Sequence, residues 1–188
     1  MDNDYTKLMI DLNGLLLSIE NTSIQAFTIR MVKGASTIWL APASRSHHLP
    51  DERIDCGNLL HTVRVASMCK FIADTVTLEE PSPGPWRDIL LSAAILHDTR
   101  RRGLFSLASH TVDDHPKLVR EYANIHHLTC SYFEEIMTTI EDHMGKWSVP
   151  PVILKIDAHT ALHLADCIVA GWAEIMPSGS KEKEGTND

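Results

Sequence analysis

Ile89-Leu90-Leu91-Ser92-Ala93-Ala94-Ile95-Leu96-His97-Asp98 is the stretch on which the fold of this 188-residue chain turns. Only Ser92 interrupts the apolar run, and nothing in it alternates as a half-buried strand would. From Trp86 to Asp98 the pattern predicts a buried central helix. Thr99-Arg100-Arg101-Arg102-Gly103 then ends it. An imidazole and a carboxylate adjacent in sequence reach one divalent cation together most easily where a helix stops and frees the backbone. His97-Asp98 is therefore a candidate metal site at a helix end.

Working outward, other ligand types fall in or beside segments with helical apolar spacing. His61 lies in Leu59-Leu60-His61-Thr62-Val63, His115 in Asp114-His115-Pro116, His143 in Asp142-His143-Met144-Gly145, and Asp166 in His163-Leu164-Ala165-Asp166. Four imidazoles and two carboxylates on converging helices would surround one or two metal ions. Imidazole suits zinc, iron and manganese, and carboxylates bridge.

In this order the six residues resemble the HD-domain metal-dependent phosphohydrolases, whose pattern is His, His-Asp, often two further His, then Asp. His61, His97, Asp98 and Asp166 match its four-residue core, and His115 and His143 match the extra pair of its two-metal members. A second resemblance reaches toward the N-terminus. Ala41-Pro42-Ala43-Ser44-Arg45-Ser46-His47-His48 and Cys56-Gly57-Asn58-Leu59-Leu60-His61 look like a stretch of the HD-class bacterial 3′-to-5′ exoribonucleases, which also carry a nucleic-acid-binding domain of the OB type. This chain has no length to spare for one.

The resemblance implies an all-α, single compact helical bundle with the metal site between central helices. It implies residues 1–177 as the HD domain, with N-terminal helices in 5–32, a core over 45–174 and a tail at 178–188. It implies two divalent ions (Fe, Mn, Co, Ni or Zn) held by His61, His97, Asp98, His115, His143 and Asp166, with Asp98 and Arg101 catalytic. Arg101 stands where many HD enzymes carry Lys, and a guanidinium grips phosphate through two donors. His47, His48, Arg101 and Lys146 would bind substrate. The implied reaction is hydrolysis of a phosphoester in a nucleotide or short oligonucleotide by a metal-activated water. Two alternatives share the ligand set: a di-iron oxygenase of a small organic substrate, and a metal-containing binding module without turnover.

Composition narrows the partners. A net charge of −8 and 44% hydrophobic residues fit one domain with a sizeable core, and exclude a broad cationic surface for duplex nucleic acid. Arg100-Arg101-Arg102 is the exception, a local place for a few phosphates. No apolar stretch approaches bilayer length and the N-terminus is acidic, so the expectation is a cytoplasmic protein without membrane contact. HD domains often pair, which makes a homo-oligomer an open expectation. Cys56, Cys69, Cys130 and Cys167 show no CxxC spacing and read as small hydrophobes.

Along the chain, helices are predicted at Tyr5 to Ile19 and Ser23 to Val32, with Asn13-Gly14 and Asn21-Thr22 as breaks, then from Gly57 through Ala73. Between them, Ala35 to Asp55 reads as loop lying across a site mouth, and Pro81 to Pro85 as a linker. Arg100 to Asp114 reads as loop, and Asp113-Asp114 before His115-Pro116 as a helix start with a capping carboxylate. Further helices follow to about His126, from Thr129 or Cys130 to Met144, and from Pro150-Pro151 to about Glu174. The polar tail from Ser178 lacks apolar anchors and reads as disordered.

Other histidines compete for roles. His110 rivals His115 as a ligand, but His115 starts a helix. His126, His127, His159 and His163 read as non-ligands; His163 shares the face of Asp166 and reads as an ordinary satisfied histidine, the alternative being that it supports a ligand. Lys146 and Trp147 either contact phosphate and base or cover the core edge. For Arg101 the competing reading is a solvated basic loop.

Overall fold

The computed structural model describes residues 4–43, 48–75, 85–105, 108, 110–143 and 157–170. Within them lie seven α-helices and no strand: α1 (Tyr5–Leu17), α2 (Thr22–Lys33), α3 (Gly57–Thr75), α4 (Trp86–Leu96), α5 (His115–Ile125), α6 (Phe133–Asp142) and α7 (Ala158–Val169). The chain is an all-α helical bundle. At its centre α4 packs against α2, α3, α6 and α7, and α3 against α1, α4 and α7.

The apolar run dictates this arrangement. Every residue of α4 from Asp88 to Leu96 is buried, so helices must cover it on all sides. Its one polar interruption is satisfied across the α2–α4 contact, where Ser92 Oγ and Thr28 Oγ1 lie 2.7 Å apart and share a hydrogen bond. At the start of the same helix the buried Asp88 carboxylate accepts from the backbone N–H groups of Glu20 (3.2 Å) and Asn21 (2.7 Å), tying down the α1–α2 turn.

Some boundaries differ from the sequence expectation for physical reasons. Asn13-Gly14 does not break α1, because Leu12, Leu15 and Leu16 around it are buried. Each buried leucine contributes about 1.5–3 kcal/mol, against a glycine penalty of about 0.5–1. Asn21 does act as a stop and cap, accepting from Ser23 N and Ile24 N at 3.1 Å. Asp114 makes no capping bond with its side chain, and α5 starts on His115-Pro116 all the same. Helix α6 begins at Phe133 rather than 129 or 130, since His127 turns the chain at φ 53° and Leu128 N–H closes back on Ala123 O at 2.8 Å. Helix α7 begins at Ala158, where extended Asp157 caps it through Thr160 N–H at 2.8 Å. The predicted start at Pro150 and the tail from Ser178 lie outside the described residues, as do 81–84 of the proline linker.

Residues 35–43 and 48–56 are not a loose loop. Two 3-10 turns, Ile38–Leu40 and Pro50–Glu52, are stitched to each other and to α3 by Ala43 N to Glu52 O (2.8 Å), Cys56 N to Leu40 O (3.1 Å) and Asn58 N to Ala41 O (3.0 Å). Buried Ile38 and Trp39 anchor the segment in the core. The turn into α3 needs its glycine: a Cβ on Gly57 would stand 1.8 Å from the Glu52 carbonyl oxygen. Among the described residues no helix is long and apolar enough to cross a membrane.

Candidate metal centre

Five helices deliver the six candidate ligands to one buried place. His61 sits in the second turn of α3, His97 and Asp98 follow the end of α4, His115 opens α5, His143 follows α6, and Asp166 lies in the third turn of α7. His61 Nε2 is 3.0 Å from Asp166 Oδ1 and 4.0 Å from Asp98 Oδ2. His97 Nε2 is 3.8 Å from Asp98 Oδ2, and His115 Nε2 is 3.1 Å from Asp98 Oδ1. Ring centroids separate His61 from His97 by 5.5 Å, His97 from His143 by 5.1 Å, and His115 from His143 by 5.7 Å. The donor atoms of His61, His97 and Asp166 fall within 4.8 Å of one another, as do those of His97, Asp98 and His143. These buried groups could hold a metal ion.

Ring orientation supports that reading. His97, His115 and His143 each donate Nδ1–H to the carbonyl three residues earlier, at Ala94 (2.7 Å), Val112 (2.8 Å) and Ile140 (2.5 Å). Ala94 and Ile140 belong to the last turns of α4 and α6, where carbonyls run short of i+4 partners, and Ile140 O also takes the His143 backbone N–H at 3.4 Å. The same bond satisfies the helix end and leaves each lone pair on Nε2. His61 is held differently, by the Glu52 carboxylate, with 3.2 Å between Nδ1 and Oε2.

The Nε2 atoms of His61, His97 and His115 are buried and make no well-aligned hydrogen bond, although those of His61 and His115 lie 3.0 and 3.1 Å from carboxylate oxygens of Asp166 and Asp98. A buried polar atom left this way costs about 1–3 kcal/mol, a debt that a cation ligated by nitrogen and oxygen donors removes. The residues present therefore fit a metal ion.

Electrostatics prepare the same centre. Burial alone would raise the Asp98 carboxyl, but Arg101, His97 and His115 hold it well below the usual carboxylate range. Burial works equally against Asp166, and His61 with its neighbouring histidines keeps it low. His97 is pushed down to about 4 by burial, and His143 is lowered by burial too, so both are neutral imidazoles with a lone pair to give. His61 is the reverse case: burial lowers it, yet the carboxylates of Asp166 and Glu52 lift it to about 9. The field that favours a proton there equally favours a metal cation, which competes for Nε2.

Beside the six lies a layer that the sequence pattern did not single out. Glu52 is fully buried and its Oε2 accepts from Nδ1–H of both His48 (3.1 Å) and His61 (3.2 Å), while Arg64 donates to its Oε1 at 2.9 Å and to Asp51 at 2.6 Å. Burial opposes ionisation of Glu52, but the two imidazoles and Arg64 bring its pKa down to about 2. The i, i+4 spacing of His48 and Glu52 across Pro50 was the available signal, in a segment with no helical period to draw attention to it. Asn58 was missed as well; its Oδ1 lies 3.4 Å from an Arg101 nitrogen.

Arg101 is buried, not part of a solvated loop. Its guanidinium donates to Asp98 Oδ2 at 2.8 Å and lies 3.2 Å from His48 Nε2. Its basic neighbours are turned elsewhere: Arg100 lies 3.5 Å over the Tyr122 ring and donates to Gly34 O, and Arg102 donates to Pro42 O. The three arginines form no phosphate patch; one of them enters the centre. His48 is likewise buried rather than exposed on a loop, whereas His47 and Lys146 lie outside the described residues. His110, His126 and His127 are exposed, and the His126 ring packs against Tyr122. His159 faces Asp142 at 3.3 Å, and His163 supports the centre by donating Nδ1–H to the backbone carbonyl of His143 at 2.6 Å.

Comparison with family models, curated proteins and solved structures finds no match to this chain.

Proposed function

We propose that this chain is an HD-type metal-dependent phosphohydrolase acting on a phosphoester of a nucleotide or short oligonucleotide. One observation carries the reading: three histidine Nε2 atoms, buried without well-aligned hydrogen bonds, converge on a carboxylate that also receives a buried arginine. Together with the order His61, His97-Asp98, His115, His143, Asp166, this supports the HD resemblance.

When bound, one or two divalent cations supply Lewis acidity and lower the pKa of the attacking water. The chain supplies the rest. His61, His97, His115, His143, Asp98 and Asp166 would hold the cations, their rings set in advance by the Nδ1–H bonds. Arg101, held beside Asp98 with both terminal nitrogens against His48, would place a fixed positive charge next to a phosphoryl group and balance negative charge as the transition state forms. Asp166 leaves 23% of its side chain exposed while the other ligands with a stated side-chain exposure are at 6% or less, so a substrate approaches from the Asp166 side. The acidic net charge and the turning away of Arg100 and Arg102 suit a small phosphoester better than a long nucleic acid.

The test is to load the metal-free protein with Mn²⁺ and follow bis(p-nitrophenyl) phosphate and a panel of nucleotides. Metal-dependent release of nitrophenol or phosphate is expected. A protein that binds Mn²⁺ tightly yet hydrolyses no phosphoester overturns the reading, and oxygen uptake by the Fe(II)-loaded protein would point to the oxygenase instead.

A further inference from the structure

Glu52 stands outside the ligand set and outside the motif, yet it touches both halves of the centre. Its Oε2 takes the Nδ1–H of His61, whose Nε2 faces Asp98 and Asp166, and the Nδ1–H of His48, whose Nε2 meets the guanidinium of Arg101. The His48 and His61 rings stand edge to face, with centroids 4.3 Å apart, so one carboxylate oxygen holds the pair as a unit. We propose that Glu52 is a positioning residue that sets the metal ligand His61 and the phosphate-facing Arg101 together, through two imidazoles on one oxygen.

Three features of the chain are arranged to keep that oxygen in place. Arg64, one turn along α3 from His61, donates to the other carboxylate oxygen at 2.9 Å and is itself braced by Asp51. The Glu52 carbonyl is bound by Ala43 N–H at 2.8 Å. Gly57 lets that carbonyl press against the start of α3, where a side chain would collide with it at 1.8 Å. A carboxylate held to this degree fixes the tautomer of each ring, so that His61 offers a lone pair to a cation and His48 offers one to the arginine. His48 Nε2 must be an acceptor to receive Arg101, which requires its proton on Nδ1, the atom facing Glu52. In this way a residue that touches neither metal nor substrate bears on both.

The reading of Arg101 as the phosphate-binding arm rests on the phosphohydrolase proposal; the metal half does not. The experiment keeps them apart. Mn²⁺ is titrated calorimetrically into the metal-free full-length chain for wild type, Glu52→Gln and His48→Gln, and KM for bis(p-nitrophenyl) phosphate is measured separately on metal-saturated protein. Glu52→Gln is expected to weaken Mn²⁺ about 10–100-fold, the usual loss for a residue that orients a ligand. His48→Gln is expected to leave the Mn²⁺ affinity within about threefold and to raise KM, because it breaks only the arginine arm. Should Glu52→Gln fail to fold by circular dichroism, Arg64→Gln, on the half-exposed side of the carboxylate, replaces it and is expected to weaken Mn²⁺ several-fold. Wild-type Mn²⁺ affinity in the folded Glu52 or Arg64 variant overturns the metal half. An unchanged KM in His48→Gln, with hydrolysis intact, overturns the arginine half. Mn²⁺ binding that depends on Glu52 in a protein without hydrolysis upholds the metal half while sinking the arginine half together with the phosphohydrolase reading.

Discussion

His97 and His143 differ from His61 in what holds them, although all three point at the same centre. The first two hang from the ends of α4 and α6, each oriented by a carbonyl three residues back in its own chain. His61 lies inside a helix, where its backbone neighbours are already hydrogen-bonded to one another, and is oriented by Glu52 from a separate segment. One kind of ligand is set by local geometry and the other by tertiary packing. The local kind survives wherever the helix end survives. The tertiary kind depends on everything that places residues 48–57, including a glycine, a positive-φ Cys56 and an arginine on the next turn of α3.

The largest expected effect treats the two kinds as one centre. Asp98→Asn keeps the shape but removes the charge that faces His61, His97, His115 and Arg101. Mn²⁺ affinity should fall more than about a hundredfold, beyond what loss of a merely orienting residue does, and hydrolysis should fall with it. Metal analysis after dialysis reads the outcome, and full metal content in this variant would mean that the six residues are not one centre.

A double-mutant cycle then separates the two kinds. Glu52→Gln combined with His61→Gln should be strongly non-additive in Mn²⁺ affinity, with a coupling of about 0.5–3 kcal/mol, because the second change removes the group through which the first acts. Combined with His143→Gln, Glu52→Gln should add within about 0.5 kcal/mol. Equal coupling in both cycles would erase the distinction between local and tertiary support.

The same contrast predicts opposite pH limbs for the stability of the metal-free protein. His97 has its folded pKa lowered to about 4 from 6.5, so the unfolded chain binds the proton first, and its contribution is lost as pH falls from 6.5 toward 4. His61 has its folded pKa raised to about 9 from 6.5, so the folded chain holds the extra proton, and its contribution is lost as pH rises from 6.5 toward 9. Thermal melts in the presence of chelator should flatten on the acid side in His97→Gln and on the alkaline side in His61→Gln. A His61→Gln variant that keeps the alkaline slope would break the assignment.

Two glycines give the smallest effects, of opposite sign. Gly57→Ala forces the Glu52 backbone away, which should cost about 1–3 kcal/mol in urea unfolding and weaken Mn²⁺ as well. Gly14→Ala, with nothing within 4 Å of the new Cβ, should stabilise the protein by about 0.5–1 kcal/mol and leave Mn²⁺ affinity alone. A Gly57→Ala protein with unaltered Mn²⁺ binding would show that the 48–57 segment does not govern His61.

Much of this was legible in the sequence. The run from Ile89 to Leu96 is apolar without alternation, and within a segment as long as Trp86 to Asp98 that favours a helix with neighbours on every side over a strand. The six candidate ligands were legible through the resemblance of their order to the HD pattern, since a polar side chain at a helix end is by itself more often solvated than buried. Less legible were the starts of α6 and α7, because the turn at His127 and the cap at Asp157 depend on backbone conformations that several residue types adopt. Glu52 left no periodic trace, and Arg101 looked no different from Arg100 and Arg102. Which of three adjacent arginines turns inward depends on the charge it finds there, and only Arg101 stands three residues from Asp98 in the turn that follows α4.

By itself, then, the sequence determined the class of fold and nominated the candidate ligands, because burial of an apolar stretch is written residue by residue and the order of His61, His97-Asp98, His115, His143 and Asp166 resembles a known pattern. Tertiary structure alone decided that Glu52 serves two histidines and that one arginine of three reaches the centre. Both depend on distances between segments far apart in the chain, which no local pattern encodes and only the packed core sets.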